Sequence, residues 1–293
     1  MDDPSAGPLI AAAGASFLLS AGDPGQKYLA ITPPVGEVVF LRFFIGALIA
    51  TAIVFHADGR LPSGRAMLAN LPRLICNAFT VYAFLYAASK IPLAVAVTVL
   101  HSAQFYIVLF GRFILGERMS PRVAASMMLG FVGVLVTVGN QLLSGPAVGS
   151  GLALAAAVVA APANAMAVVL LRVRTCHETT RQLVFMQNGI TTVLFLPLVL
   201  LDWQTPQPTE IAISGLIACI AVAGNTTPAY AFSRAAATRL ATIEYTSLIW
   251  AAIYGYVLFR EAVSLSVLLG ACIIGLSGIL LIWERRPARV ARR

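Results

Sequence analysis

Long apolar runs broken by short polar connectors dominate the chain. Ten windows qualify as membrane spans, since a helix needs about 20 predominantly apolar residues to cross the hydrocarbon core. They cover residues 8–31, 35–55, 70–88, 92–115, 121–141, 150–172, 180–201, 210–232, 239–259 and 264–283. The connectors are rich in Pro, Gly, Ser and charge, as in Ala57-Asp58-Gly59-Arg60-Leu61-Pro62-Ser63-Gly64. None is long enough to form a separate soluble domain. Within a bilayer every backbone polar group needs a partner inside the protein, so each run is predicted as a helix. The fold class expected is all-α: a polytopic membrane protein of ten crossings.

Composition removes the soluble alternative. Of 293 residues, 59% are hydrophobic and 11% are charged, where a soluble domain carries about 25% charged residues. The formal net charge is +8. In a soluble chain that excess would point to nucleic acid. Here the basic residues sit in short gaps between apolar runs, so they set orientation, and no nucleic-acid partner is expected. With both termini on one side, Arg60, Arg65 and Arg73 fall in or beside connector 2–3, and Arg112, Arg118 and Arg122 flank connector 4–5. Arg172, Arg174 and Arg181 flank connector 6–7, Arg234 and Arg239 flank connector 8–9, and five arginines follow residue 284. Only Lys90 and Arg260 lie on the other side, while Lys27 and Arg42 lie within apolar runs. This bias predicts cytoplasmic termini in a bacterial inner (plasma) membrane, with residues 285–293 as a basic cytoplasmic tail. The start, Met1-Asp2-Asp3-Pro4, lacks the positive region of a signal peptide, so the first run reads as a retained helix.

The chain repeats itself. Tyr86, Ser89-Lys90, Thr98, Glu117 and Ser120 match Tyr230, Ser233-Arg234, Thr242, Glu261 and Ser264, and Val39-Phe40 matches Val184-Phe185. With one residue inserted, Gly130 and Gly133 match Gly275 and Gly278. The two copies span 8–141 and 150–284. Each is five crossings long, and an odd number inverts the second copy relative to the first. Inverted repeats are the plan of secondary transporters, with the solute site near the midplane between the halves.

These residues also carry a family resemblance. The pattern Lys27…Glu37…Leu41-Arg42-Phe43, and two tails each ending in an acid and a glycine-rich helix, resemble the drug/metabolite transporter superfamily with two EamA-type repeats. The likeness covers about residues 8 to 284. It implies ten helices with both termini inside, and a central cavity lined by helices 1, 3, 4, 6, 8 and 9. Similar members export amino acids, or carry riboflavin, S-adenosylmethionine or drugs, so the resemblance does not name a substrate.

Ionisable groups inside a bilayer are costly, by at least about 2.5–3.5 kcal/mol at its centre, and usually face a cavity or a partner. Asp23 and Lys27 share a helix face four residues apart, and Gly22-Asp23-Pro24-Gly25 interrupts the run. They read either as a salt bridge closing the end of helix 1 or as a substrate or gate contact. Glu37 and Arg42, on a helix 2 expected at the periphery, favour a structural role, with Arg42 snorkelling or pairing with Asp23 or Glu37.

The candidate substrate-binding residues lie on the helices that repeat most clearly, together with helix 6. Helix 3 offers Asn77, Tyr82 and Tyr86; helix 4 offers His101 and Gln104; helix 6 offers Asn164. Helix 8 adds Asn225 and Tyr230, and helix 9 adds Glu244, Tyr245 and Trp250. Aromatics with a polar tip suit a pocket for an amphipathic solute, and the same residues also anchor helices at interfaces. His101 reads equally as a packing residue and as a group that meets a carboxylate or titrates.

No catalytic constellation is apparent: the chain has no Walker loop, GxSxG or HExxH. Cys76, Cys176, Cys219 and Cys272 show no CxxC spacing, so neither metal nor cofactor is expected. The reading is a secondary transporter of small metabolites, amino acids foremost and outward, working by alternating access. Its partners are a small-molecule substrate and the lipid bilayer, with protons or solute gradients as the driving force and a monomer as a sufficient unit. An integral membrane lipid enzyme would need catalytic groups clustered near one interface. A channel would need a continuous polar stripe, and neither feature is present.

Overall fold

The structure, a computed structural model, describes residues 20–31, 34–57, 60–116, 121–143, 150–175, 177–234, 246–261 and 264–284. Within them, the side chains of 122–124, 126–127, 138, 140–143, 150, 225–234, 246–249 and 278–284 lie outside the description. The first crossing is described as α1 (residues 20–29). Then follow α2 (Val35–Ala57), α3 (Gly64–Lys90), α4 (Leu93–Leu100) and α5 (Ala103–Ile114). The remainder are α6 (Pro121–Leu143), α7 (Ser150–Arg174), α8 (Thr180–Leu201), α9 (Pro208–Arg234), α10 (Thr246–Phe259) and α11 (Leu265–Glu284). The fold is all-α and polytopic. Among the described residues five spans are long and apolar enough to cross a membrane, one of them formed by α4 and α5 together.

Local chemistry sets the helix ends. Ser63 caps α3 by accepting from the Ala66 N–H at 3.3 Å. Thr179 and Gln182 form a reciprocal capping box on α8. Pro121 and Pro208 open α6 and α9, where the missing N–H costs nothing. Inside the helices many polar side chains bond back to their own backbone: Thr51 to Ala47 O, Thr80 to Cys76 O, Asn188 to Val184 O. That satisfies them where no water is available, so they need no ligand. Apolar side chains such as Phe113, Leu68, Leu200 and Leu201 point outward, as a lipid-facing surface requires.

The packing is that of an inverted five-plus-five repeat. Helix α2 packs on α8, α4 on α10, and α6 on α11. Each of these pairs joins a crossing to its repeat mate. The contact of α3 with α7 is mirrored by α1 against α9, where a Cβ on Gly25 would stand 3.1 Å from Ile217 Cδ1. One apolar core ties both halves together at the end of the bundle that carries Lys27. It contains Leu29, Phe43, Leu85, Val95 and Val99 from the first half, and Leu154, Phe195, Ile217 and Ala251 from the second.

The fourth crossing differs from the single helix expected over 92–115. It breaks at His101–Ser102, where ψ is −16° and −15°. Ser102 N–H donates to Val99 O at 3.1 Å, and Gln104 N–H to His101 O at 3.2 Å. These are three-residue rather than four-residue steps, a tightened 3₁₀-type turn near the middle of the span Leu93–Ile114. No Pro or Gly stands at the break, so its residue types carry no signal for it.

Candidate functional site

Lys27 does not pair with Asp23. Its ammonium reaches across the repeats to Glu261, which follows α10. The same ammonium donates to Ile91 O at 2.9 Å, and the other Glu261 oxygen accepts from Leu93 N–H at 2.9 Å. Its face toward α10 lies against the Phe259 ring, 5.1 Å from the centroid. The preference for Glu261 has a physical cause. Ile91 ends α3 and Pro92 starts α4 without a side-chain cap. The α3–α4 turn therefore presents an unmet carbonyl beside an unmet amide, and the ion pair supplies one partner to each. Glu261 is absent from the candidate site residues read from the sequence. The signal that marks it is its repeat match to Glu117, an acid ending the same segment of each copy.

Arg42 turns into the bundle rather than snorkelling outward. Its Nη1 donates to Gln26 of α1, and its guanidinium stacks near the Phe43 ring at 5.1 Å. Asp23 supplies the opposing charge nearby. The Arg42 Nε is buried with no hydrogen-bond partner. Glu37 is buried at the start of α2, a helix whose Phe44, Leu48 and Phe55 are exposed as expected of a peripheral one: one oxygen accepts from Gln204 N–H at 3.3 Å and the other is buried unpaired. The charge pattern of helices 1 and 2 thus resolves into two neighbouring sets, Lys27–Glu261 and Asp23–Gln26–Arg42.

Arg73 also departs from expectation. It is not a connector charge but a buried residue inside α3, 3% exposed. Its Nε donates to Asn70 Oδ1 at 3.3 Å, Nη1 to Gln187 Oε1 at 3.2 Å and Nη2 to Leu183 O at 3.5 Å. Asn70 donates onward to Glu178 at 3.4 Å. The cluster fastens α3 to α8 at the opposite end of the bundle from Lys27. Removing Arg73 from the arginine count leaves the charge bias intact.

The aromatic and amide residues sit as follows. Tyr82 and Tyr86 pack against the central core, and the Tyr82 ring meets Phe195 at 5.9 Å. Asn77, on the same helix, holds a buried amide nitrogen with no partner. His101 turns Nδ1 to Val97 O, 2.9 Å away on its own helix, at the break. Gln104 follows within the next turn. Asn164 lies on α7 between Ala161 and Ala165, which pack on Ala103 and Ile107 of α5. Trp250 and Tyr254 stack at 6.2 Å on α10, the helix that adjoins α4. The structure thus gathers α3, the α4–α5 break, α7 and α10. The Asn225 and Tyr230 side chains, and all of Glu244 and Tyr245, lie outside the described residues. Among the described residues no group of His, Cys, Asp or Glu could hold a metal ion.

Comparison with known proteins agrees with this architecture. A model described as the EamA-like transporter family matches residues 7–139 and again 150–283. The pseudopaline exporter CntI of Pseudomonas aeruginosa is 28% identical over 262 residues, covering 89% of this chain and 90% of that one. An S-adenosylmethionine uptake transporter of Rickettsia felis is 27% identical over 274 residues, covering 92% and 90%. A solved structure matches with a TM-score of 0.64 at 18% identity, over 96% of this chain and 98% of that one, a likeness of fold. The chain belongs to the EamA-like transporter family, and it is a multi-pass bacterial inner-membrane transporter of small metabolites.

Proposed function

We propose that the chain exports small amphipathic metabolites, amino acids foremost, by alternating access of its two inverted halves. The observation that carries the reading is the break at His101–Ser102. A discontinuous helix presents polar backbone at mid-membrane only where protein shields it from lipid, and such breaks are where secondary transporters hold solute. Tyr82, Tyr86 and Trp250 supply apolar area with polar tips for the solute body. Asn77, His101 and Gln104 from the first half, with Asn164, Asn225, Tyr230, Glu244 and Tyr245 from the second, supply hydrogen bonds for its charged end. An unpaired charge there would be costly.

The arginine bias supports a cytoplasmic placement for both termini, and so an outer placement for Lys27, Glu37 and Glu261. The export direction follows the pseudopaline exporter among the relatives, and flux in right-side-out against inside-out vesicles tests it against uptake. Protons are the coupling ion we propose, and a single chain contains both halves of the site.

The test is counterflow into proteoliposomes with a panel of radiolabelled amino acids, S-adenosylmethionine, riboflavin and nucleosides. Saturable flux of an amino acid, lowered several-fold in His101→Ala, supports the reading. Flux confined to another class would replace the substrate assignment, and a pH gradient imposed on the same vesicles tests the coupling.

A further inference from the structure

The geometry points to α4 as the outer gate of the transporter, with the Lys27–Glu261 pair as its latch and the His101–Ser102 turn as its hinge. The inference rests on the alternating-access reading and names the segment that moves.

Three observations converge on these eight residues. The first is burial: Leu93 through Val99 are all buried, on every face of the helix. The segment packs against α3, α6, α7, α10 and α11. It therefore plugs the bundle at the Lys27 end, where the core of both halves meets.

The second is its independence from the rest of the crossing. A helix of two turns is marginal by itself, and half of this one is β-branched: Val95, Val97, Thr98 and Val99. The tightened turn at His101–Ser102 separates it from α5. An interruption of this kind absorbs a change of direction that a continuous helix would resist.

The third is how its free tip is held. Proline at the N-cap, Pro92, leaves α4 without a side-chain cap, and Glu261 of the other half accepts the Leu93 N–H instead. Lys27 holds the neighbouring Ile91 carbonyl and the Glu261 carboxylate together. A Cβ at Gly255 would stand 3.1 Å from that carboxylate, so glycine lets α10 close over it. Both contacts made by Glu261 at the tip cross from one repeat to the other, whereas the sides of α4 make apolar contacts, which have no directional geometry to break. Breaking the ion pair removes the cap and the inter-repeat tie together, which frees the tip to swing about the hinge.

The test uses the full chain with its four cysteines replaced by serine and Thr98→Cys, a buried α4 position, as reporter. An impermeant thiol reagent is added to spheroplasts, and labelling is compared with and without Glu261→Gln, Lys27→Ala and the exchange Lys27→Glu with Glu261→Lys. Faster labelling, at least several-fold, in both single variants and in the exchange variant is the expected result, since the exchanged pair sets an ammonium against the Leu93 N–H and a carboxylate against the Ile91 carbonyl. Parent-like labelling in both single variants, with monodisperse protein of near-parent melting temperature, would overturn the gate. So would faster labelling matched by an equal rise at a reporter on α3, Ala78→Cys, since that reports general loosening. If Glu261→Gln fails to fold, Lys27→Met decides by the same comparison. The alternating-access reading fails separately, when the parent shows no saturable solute flux although the labelling response is intact.

Discussion

Gly116 and Arg260, 144 residues apart, share a left-handed backbone, with φ of +69° and +55°. They are the positive-φ residues among those described, and they occupy the same place in the two repeats. Each ends its crossing just before the matched acids Glu117 and Glu261. The chain reverses there by an αL residue, the usual way to close a helix. In the second copy the reversal also aims Glu261: its N–H donates to Gly255 O at 3.1 Å, while its side chain reaches the α3–α4 turn. Inverted copies that match in sequence therefore match in backbone at the point where the latch is built.

That relationship predicts opposite responses at the two sites. Gly116→Ala forces a Cβ into the left-handed region and should cost about 1–2 kcal/mol, although open space surrounds the position. Arg260→Gly removes the same strain and should be neutral or mildly stabilising. Melting temperatures in detergent check both. Equal destabilisation by the two changes would contradict the shared conformation.

The α6–α11 contact should tolerate no side chain at Gly270. A Cβ there would lie 1.9 Å from Thr137 Oγ1 and 2.7 Å from Gly133 O. Gly270→Ala should lower stability by about 1–3 kcal/mol through overpacking. Adding Thr137→Ala should recover only part of the loss, because the second obstacle is backbone. Full recovery in the double variant would mean that the helices separate freely.

Solute contact is the claim at stake for His101 and Tyr82. His101→Ala or Tyr82→Ala should reduce proteoliposome transport at least several-fold while insertion and melting stay near the parent. Arg285→Ala, in the tail, should leave transport nearly unchanged. Parent-like flux across a range of solute concentrations in both site variants would make those side chains packing groups.

Topology has its own check. The segment from Asn140 to Gly149 should face outward and Arg118 inward. A cysteine placed at Ser144 should react with an impermeant reagent on intact cells, and one at Arg118 should not until the membrane is opened. Silence at Ser144 would reverse the orientation, and with it the outer placement of the gate.

The crossings and their repeat were legible from the sequence because bilayer physics is local. An apolar run of sufficient length must form a helix whatever its neighbours do, and a five-crossing repeat must invert. The α8 window read from the sequence, 180–201, coincides with Thr180–Leu201. Candidate positions such as Tyr82 and His101 were also legible as polar groups in apolar surroundings. Their partners were not. Lys27 and Asp23 stand one helical turn apart, and spacing alone pairs them. The folded bundle brings Glu261 to Lys27 over a sequence separation of 234 residues. Arg73 counts as a connector charge by position, yet three acceptors on α3 and α8 draw it inside. The break at His101–Ser102 has no residue signature, since the partners that shape it come from packing around α4. Hydrophobic length is a property of one segment and survives in the sequence. Pairing of buried charges depends on which helices adjoin, and only the tertiary structure decides that.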